Sequence, residues 1–544
     1  MLWKSQLLWT LLFINTLAFG LESREYSQQD LNSEAIIAAN WIQHAPEYRA
    51  LLYQGFNIAS DQLAQKLARL SKKKKPAIII DIDETLLKGT PCFSSMIDTN
   101  NKLTVERSLL WWNDYKSQEV LPGAVDFVNF AAYQGVEIFY ISGRYIDVMP
   151  STIKALERHG FPYADKAHIL LQPPKDRTLS KEGKRNLIKN KGFEVIMLLG
   201  DQLDDLTEPP SKLYRQRQSW VDKHFSRFGL HWIIFPNPFY GGWESSISEG
   251  YSHLPPAEKH QLRMEVLGLS RDKAPDPLFR QHMIQAAIWQ NFSGSYRALN
   301  YQAFNQAGRQ LETLVKNTEG NPAIVVDIDG TVLNVTDELA LLNIQNNKSN
   351  RDKKLLNTDN ALINGAKTFL AKARQLDVEI FYLTNRPATS SKSHSKNDIY
   401  QATLANLKKH KLPYADREHL IFTEQNSSNT QKSCNKEQKR ADIEQGRING
   451  RKYQIAMLIG DHLDDFDLTE KGLNPEVPET ADKVRSLFGR RYIVLPSVLS
   501  MPEIRAYHRK AANNRNLDSL TPEELARIRT KLLHDWPGKP GTGN

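Results

Sequence analysis

The chain has 544 residues, of which 40% are hydrophobic and 24% are charged. This composition excludes a disordered or fibrous chain, and the length suffices for two or more domains, each with its own core. Basic residues outnumber acidic ones by 71 to 62, and the net charge of +9 favours anionic ligands. No basic stripe interleaved with aromatic residues occurs, so we expect no nucleic-acid binding.

Residues 1–20 predict a cleavable signal peptide. Lys4 supplies the positive charge, residues 7–19 form a short apolar stretch, and Ala18 and Gly20 fit the small residues before a cleavage site. The apolar stretch is short for a bilayer span, which makes an uncleaved anchor the weaker interpretation. No cysteine lies near the cleavage site, which argues against a lipid anchor. We therefore expect a secreted or periplasmic protein with no stable membrane anchor.

The sequence then contains one module twice. Tyr-Arg-Ala-Leu at 48–51 recurs at 296–299, and the sequence Asp-Ile-Asp-x-Thr at 81–85 recurs at 327–331. Further matches follow in the same order, which indicates a duplicated domain with loop insertions. The predicted organisation is a signal peptide at 1–20, a first domain at 21–265, a linker at 266–278, a second domain at 279–505 and a helical tail at 506–544.

Each half contains four short apolar runs that predict β-strands, with helical stretches between them. The runs span 77–80, 137–141, 195–199 and 232–235 in the first half, and 323–326, 379–383, 455–459 and 492–495 in the second. This alternation predicts a parallel sheet with helices on both faces, which binds ligands beyond the carboxyl ends of its strands. In each half, a polar residue lies within two residues of the carboxyl end of three of these runs. These residues are Asp81, Ser142 and Asp201 in the first half, and Asp327, Thr384 and Asp461 in the second.

The two carboxylates that follow the first run, Asp81 and Asp83, indicate phosphoryl transfer. Asp81 is placed to act as a nucleophile that forms an aspartyl-phosphate. Asp83, two residues on, can turn toward the same pocket, protonate the leaving alkoxide and then activate water. Ser142 would donate a hydrogen bond to a phosphoryl oxygen.

Two carboxylates that face an anionic ester require a cation, and oxygen ligands favour Mg²⁺. The predicted ligands are the side chains of Asp81 and Asp201 and the carbonyl of Asp83, with Asp205 holding a metal-bound water. A lysine must complete the charge balance, for which Lys181 is the first choice and Lys184 the alternative.

The second half repeats the whole set. Its candidate catalytic residues are Asp327, Asp329, Thr384 and Lys436. Its candidate metal ligands are Asp327, Asp329 and Asp461, with Asp465 in the role of Asp205. His462 replaces Gln202 beside the last ligand, and we expect its side chain to face solvent.

These motifs resemble those of the haloacid dehalogenase superfamily, and the first half is similar to the class C (subfamily IIIB) bacterial acid phosphatases. The resemblance rests on the Asp-Ile-Asp-Glu-Thr motif, Trp111-Trp112, Gly200-Asp-Gln-Leu-Asp-Asp205 and Pro236-Asn-Pro-Phe-Tyr-Gly-Gly-Trp-Glu244, and it covers nearly all of 31–244. It implies two tandem Rossmann-like α/β domains, each a mostly parallel sheet with helices on both faces and a small cap.

The resemblance also implies an exported acid phosphatase that uses Mg²⁺ and hydrolyses small phosphomonoesters, nucleoside monophosphates among them. Trp112 and Tyr240 match the region where the family clamps the substrate ring. Family members are often lipid-anchored, and this chain departs from them because it lacks the cysteine that such an anchor needs.

The second half departs further from the family. Gly330 replaces Glu84, no tryptophan pair precedes Asn364, and residues 496–501 replace the tyrosine-containing stretch around Tyr240. We expect the second site to be active, with different or looser selectivity. Three alternatives remain open: phosphoryl transfer to alcohol acceptors, a non-catalytic binding module, or one active domain beside a regulatory one.

Overall fold

The computed structural model describes residues 26–90, 94, 97, 105–173, 179–209, 211–268, 281–335, 355–387, 398–423, 436–499, 512, 515 and 520–534. The predicted signal peptide and most of the predicted linker lie outside these residues. Ten strands form two five-stranded sheets. The strands are β1 Lys75–Ile80, β2 Glu137–Tyr145, β3 Ile169–Gln172, β4 Phe193–Gly200, β5 Trp232–Ile234, β6 Pro322–Val326, β7 Glu379–Thr384, β8 Leu420–Phe422, β9 Gln454–Gly460 and β10 Tyr492–Val494.

Helices precede, connect and follow these strands. Those of the first half are α1 Gln28–Ser33, α2 Ile36–His44, α3 Pro46–Arg69, α4 Val105–Asn113, α5 Ala124–Tyr133, α6 Met149–Arg158, α7 Lys181–Asn190, α8 Leu203–Leu206, α9 Tyr214–Lys223, α10 Gly242–Ser245 and α11 Pro256–Val266. Those of the second half and the tail are α12 Ile284–Phe292, α13 Gly294–Lys316, α14 Ala366–Gln375, α15 Asp398–Lys409, α16 Lys436–Glu444, α17 Pro478–Lys483 and α18 Pro522–His534. Within the described residues, no helix is long and apolar enough to cross a membrane.

The two sheets have the same topology. Their strand orders are β3-β2-β1-β4-β5 and β8-β7-β6-β9-β10, and every pair of neighbouring strands is parallel. The predicted fold class, two tandem Rossmann-like α/β domains, is confirmed. The four predicted strands of each half are present, but the prediction missed the edge strands β3 and β8.

The central strands place the first aspartates at the edge of each sheet. The backbone N–H of Asp81 donates to the carbonyl of Leu199 at 3.0 Å, and the N–H of Asp327 donates to Ile459 at 2.9 Å. The chain then turns within three residues. Glu84 and Gly330 occupy the same left-handed position in this turn, with φ of 54° and 77°, which is a conformation that favours glycine.

Helices α3 and α13 lie between the two halves and contact both of them. The side-chain amide of Gln54 on α3 bonds both backbone groups of Val494 on the edge strand β10, at 2.8 and 2.9 Å. Gln302 on α13 forms the same pair of bonds with Ile234 on β5, at 2.9 Å each. Each half therefore covers the sheet edge of the other, and apolar residues of both halves share one core.

Ion pairs also join each of these helices to the opposite half. Arg49 pairs with Asp482 at 2.7 Å, and Arg297 pairs with Asp222 at 2.6 Å. The two halves are thus related as the subunits of a symmetric dimer, although one chain supplies both.

The tail helix α18 begins with a capping box formed by Thr521 and Glu524. The hydroxyl of Thr521 accepts a hydrogen bond from the N–H of Glu524 at 3.2 Å, and the Glu524 carboxylate accepts one from the N–H of Thr521 at 2.9 Å. The helix packs on the first half, where the Asn40 side chain on α2 donates to the carbonyl of Arg529 at 3.2 Å.

Candidate active sites

Each sheet gathers three buried carboxylates at its carboxyl edge. In the first half, one oxygen from each of Asp81, Asp201 and Asp205 lies within 4.8 Å of the others, and Asp327, Asp461 and Asp465 form the same group in the second. The first two members of each group follow the two adjacent central strands. The third comes from the short helical turn just beyond, Leu203–Leu206 or Leu463–Asp465.

One lysine reaches into each group. Lys181, at the start of α7, places its Nζ 2.5 Å from Asp81 Oδ1 and also contacts Asp205. Lys436 makes the matching contacts with Asp327 and Asp465, both at 2.5 Å. Lys184 instead donates to the carbonyl oxygen of Ser142 at 2.7 Å. Of the two candidate lysines in the first half, only Lys181 therefore meets the carboxylates.

Burial shifts the protonation of these groups. Burial raises the pKa of Asp81 from 3.8 to about 7; Lys181 opposes the rise, and the charges of Asp205 and Asp83 add to it. In the second site burial raises the pKa of Asp461 to about 6. Burial alone would lower the pKa of Lys181, but the two carboxylates that it contacts raise it, so this lysine stays charged.

The donor set fits a hard divalent cation. Three buried carboxylates face a single ammonium group in each site, and this leaves an excess of negative charge that a dry environment disfavours. All the converging ligand atoms are oxygens, which suit Mg²⁺ or Ca²⁺ better than softer metals. Asp81 and Asp201 could hold such an ion in the first site, and Asp327 and Asp461 in the second, while Asp205 and Asp465 bond the lysines beside them.

Asp83 does not join the carboxylate group but pairs with an arginine. Both of its oxygens accept hydrogen bonds from the buried guanidinium of Arg144, at 2.8 and 2.9 Å. Ser142 Oγ lies 3.3 Å from Asp83 and accepts a hydrogen bond from the N–H of Arg144 at 3.1 Å. The arginine therefore fixes the position of the carboxylate that precedes the turn.

The second half repeats this arginine pair. Arg386 Nε donates to Asp329 at 2.7 Å and Nη2 donates at 2.5 Å, and Thr384 Oγ1 accepts from the N–H of Arg386 at 3.2 Å. Neither arginine was predicted from the sequence. Their signal was present, because an arginine stands two residues after the strand-end hydroxyl residue in both halves.

Asp201 and Asp461, which follow β4 and β9, have side-chain partners that were not predicted from the sequence. Asn237, which follows β5, donates to Asp201 Oδ2 at 2.7 Å, and Gln202 donates to the same oxygen at 2.6 Å. In the second half, the charge of His462 and a hydrogen bond from Ser497 both lower the pKa of Asp461 against the effect of burial.

The prediction that His462 faces solvent is wrong. Its side chain is only 18% exposed, and Nε2 lies 3.7 Å from Asp461 Oδ2. The position is enclosed because the preceding strand end is buried. In the first half, the side chain of Gln202 also points inward, toward Asp201.

Aromatic side chains flank the first site. Tyr240 is half-buried, and the charges of four nearby acids, Glu84, Asp201, Asp83 and Asp81, add to the effect of burial in raising its pKa. The ring centroid of half-buried Trp112 lies 5.9 Å from the guanidinium carbon of Arg144, whereas Trp111 is buried in the core. The two predicted substrate-binding residues thus lie beside the catalytic groups.

The Glu84 side chain bonds the turn after β1 to residues 89–90 and to α3. Its buried carboxylate accepts hydrogen bonds from the N–H of Gly89 at 2.7 Å and from the hydroxyl of Thr90 at 2.7 Å. The hydroxyl of Tyr48 on α3 lies 3.4 Å from its other oxygen. Gly330 has no side chain with which to form these bonds.

Comparisons with known proteins agree with the duplication. The family model described as "HAD superfamily, subfamily IIIB (Acid phosphatase)" matches the chain twice, at residues 6–243 and 258–499. The class C acid phosphatase from Bacillus anthracis is a similar solved structure, with 37% identity, 43% of this chain and 97% of that chain covered, and a TM-score of 0.40. A tungstate-bound structure of the same enzyme has 36% identity, with the same coverage and TM-score.

Proposed function

Because the chain belongs to HAD subfamily IIIB, the acid phosphatases, and is a phosphomonoesterase, we propose that it is an exported, Mg²⁺-dependent enzyme that hydrolyses its substrates through an aspartyl-phosphate. The observation that carries the proposal is the contact of Lys181 with both Asp81 and Asp205 in a buried group of carboxylates. Small phosphomonoesters are the substrates that the family implies.

Asp81 would act as the nucleophile. One carboxylate oxygen attacks phosphorus, and the phosphorus–oxygen bond to the leaving alcohol breaks as the new bond forms. Lys181 stands beside that carboxylate, so its positive charge offsets the charge of the phosphoryl oxygens. Ser142, buried beside Asp83, would donate its hydroxyl proton to one of these oxygens.

Asp83 would move the protons. It gives a proton to the leaving alkoxide in the first step, then takes one from the water that attacks phosphorus and releases inorganic phosphate from Asp81. Arg144 donates to both oxygens of Asp83 and so positions this carboxyl group. One of these hydrogen bonds must open for that oxygen to carry the proton of the first step. Each cycle returns Asp81 and Asp83 to their starting states.

Mg²⁺ is the proposed cation. The side chains of Asp81 and Asp201 and the carbonyl of Asp83 would hold it, with Asp205 supporting a bound water. When bound it would neutralise carboxylate charge and attract the anionic substrate.

For the leaving group, we propose a nucleoside monophosphate or a similar ring-bearing monoester. Half-buried Trp112 and Tyr240 beside the catalytic groups support this assignment, because aromatic faces stack on bases. Export rests on the sequence of residues 1–20 alone.

The second site would catalyse the same reaction on different monoesters. Asp327, Asp329 and Lys436 have the same contacts as their first-half equivalents, which supports activity over a purely regulatory role. Gly330 in place of Glu84 supports a change in selectivity.

Trapping the covalent intermediate tests the proposal. The protein would be incubated with a monoester and Mg²⁺, quenched in acid and reduced with borohydride, which converts an aspartyl-phosphate to homoserine. Mass spectrometry should find the conversion at Asp81 and Asp327, and EDTA should abolish it. Phosphate release that proceeds in EDTA, or conversion at neither aspartate, would contradict the proposal.

A further inference from the structure

A cavity that opens to solvent lies in the first half, outside the carboxylate group. It has a volume of about 690 Å³, and none of the proposed catalytic or metal-binding residues lines it. Its walls come from the start of α3, the end of α6 and the segment 116–120. The volume is within the range of about 300–1,000 Å³ that is typical of small-molecule sites.

Positively charged side chains dominate the walls. Arg49, Lys88, Lys116 and Arg158 line the cavity together with His159. Two carboxylates oppose these four permanent charges: Glu119, which pairs with Lys88 at 2.6 Å, and Asp482, which pairs with Arg49 at 2.7 Å. Lysine and arginine only donate hydrogen bonds, so this lining favours a ligand with several anionic oxygens.

The wall segment is held in place by the side chains around it. Arg158 donates to the carbonyl of Lys116, and the ring of His159 lies 2.7 Å from the carbonyl of Gln118. The N–H of Lys88 donates to the carbonyl of Glu119 at 2.9 Å. The basic groups therefore stand on a fixed frame, which reduces the entropy that a ligand must remove on binding.

The second half has the same frame with fewer positive charges. His410 lies 2.7 Å from the carbonyl of Asn360, as His159 does from Gln118, and the N–H of Asn334 donates to Ala361 at 2.7 Å. This register aligns Asn334 with Lys88 and Thr358 with Lys116. Lys409, the counterpart of Arg158, is paired with Asp359.

We propose that the cavity is a binding site for an oligophosphate anion, a chain of two or more linked phosphate groups, and that it is present in the first half only. A single orthophosphate would fill a small part of the volume and reach few of the basic groups. A linear oligophosphate offers a separate anionic group to each of several basic residues, and Lys88, Lys116 and Arg158 all line the cavity. The segment that forms the wall also carries Gln118, which accepts a hydrogen bond from Arg144 at 2.9 Å, so the site adjoins the group that holds Asp83.

Calorimetric titration of the full chain with tripolyphosphate in EDTA tests this proposal. Without a metal ion the carboxylate groups repel anions and no turnover occurs, so binding reports on the cavity. We expect one site per chain, and we expect the Lys88→Asn/Lys116→Thr variant, which copies the second half, to bind at least about tenfold more weakly. Its phosphatase activity in Mg²⁺ should be unchanged, because neither lysine is among the proposed catalytic or metal-binding residues.

Two controls separate a site from general charge. The Lys72→Asn/Lys73→Thr variant loses the same charge from an exposed run and should bind as the unmodified chain does. Orthophosphate should bind at least about tenfold more weakly than tripolyphosphate. If the first double variant does not fold, Lys116→Thr alone should still weaken binding. Absent binding, equal weakening in both double variants, or equally tight orthophosphate binding would overturn the proposal.

Discussion

Glu47 of the first half accepts a hydrogen bond from the backbone N–H of Leu463 in the second half, at 2.9 Å. Leu463 begins the turn that carries Asp465, and Asp465 holds Lys436. One half therefore stabilises a catalytic segment of the other. The relationship is not symmetric, because α13 has Ser295 at the position that Glu47 occupies on α3.

Replacing Glu47 by alanine should destabilise the protein and weaken the second site. The change leaves a buried N–H without its acceptor, which costs about 1–3 kcal/mol of unfolding free energy. Urea unfolding measures the loss, and Mg²⁺-dependent hydrolysis in an Asp81→Asn background isolates the second site. Ser295→Ala is the matched control and should change both quantities less. Equal effects of the two substitutions would contradict the asymmetry.

Replacing Arg144 by lysine should reduce turnover in the first site. Lysine keeps the charge but cannot hold both oxygens of Asp83, so proton transfer should slow by about 10- to 100-fold. The effect should fall on kcat, with little change in KM, when measured in an Asp327→Asn background. Arg386→Lys should leave that rate unchanged. A raised KM with normal kcat would mean that Arg144 binds substrate instead.

Gly330→Ala should damage the second site. A Cβ at this position would collide with Asp461 Oδ2, and φ is +77°. Gly450 has φ of +80° with nothing within 4 Å of its Cβ position, so Gly450→Ala measures the backbone cost alone, about 1–2 kcal/mol. We expect a larger loss of stability, and of activity in an Asp81→Asn background, for Gly330→Ala. Equal losses would show that crowding against Asp461 is unimportant.

The contribution of Asp81 to the unfolding free energy of the metal-free protein should fall as pH rises from about 4 to 7. Burial raises the pKa of Asp81 from 3.8 to about 7, so across this range the folded state binds a proton that the unfolded state has released. Stability then falls with rising pH. Asparagine resembles the protonated carboxyl, and Asp81→Asn should raise the melting temperature in EDTA at pH 7 but not at pH 4. A lower melting temperature at pH 7 would contradict the pKa shift.

Much of the fold follows from the sequence because the central strands are buried on both faces. Runs such as Ile78–Ile80 and Ile324–Val326 are continuously apolar, and such runs indicate parallel strands. The edge strands β3 and β8 have only four and three residues. Each has only three consecutive apolar residues, at 169–171 and 420–422, whereas the runs at 232–235 and 492–495 that predicted the other edge strands have four.

The contacts of α3 with the second half could not be predicted for a different reason. The sequence of α3 predicts a helix with buried residues, but nothing in the pattern shows that it packs on both halves. The bonds of Gln54 to Val494 join residues far apart in the chain.

In the candidate sites, the residues at strand ends were predictable and their partners were not. Parallel strands bring Asp81 and Asp201 to one edge whatever the loops do. Arg144 and Asn237 depend on how the loops turn back toward that edge, which spacing alone does not encode.

The central claim is that one chain carries two phosphatase sites, each with its own nucleophile. The most direct test is Mg²⁺-dependent phosphate release from a panel of monoesters by Asp81→Asn, Asp327→Asn and the double variant. Each single variant should stay active with a different substrate preference, and the double variant should lose about 10³-fold or more. Loss of all activity in one single variant, or an active double variant, would contradict the account.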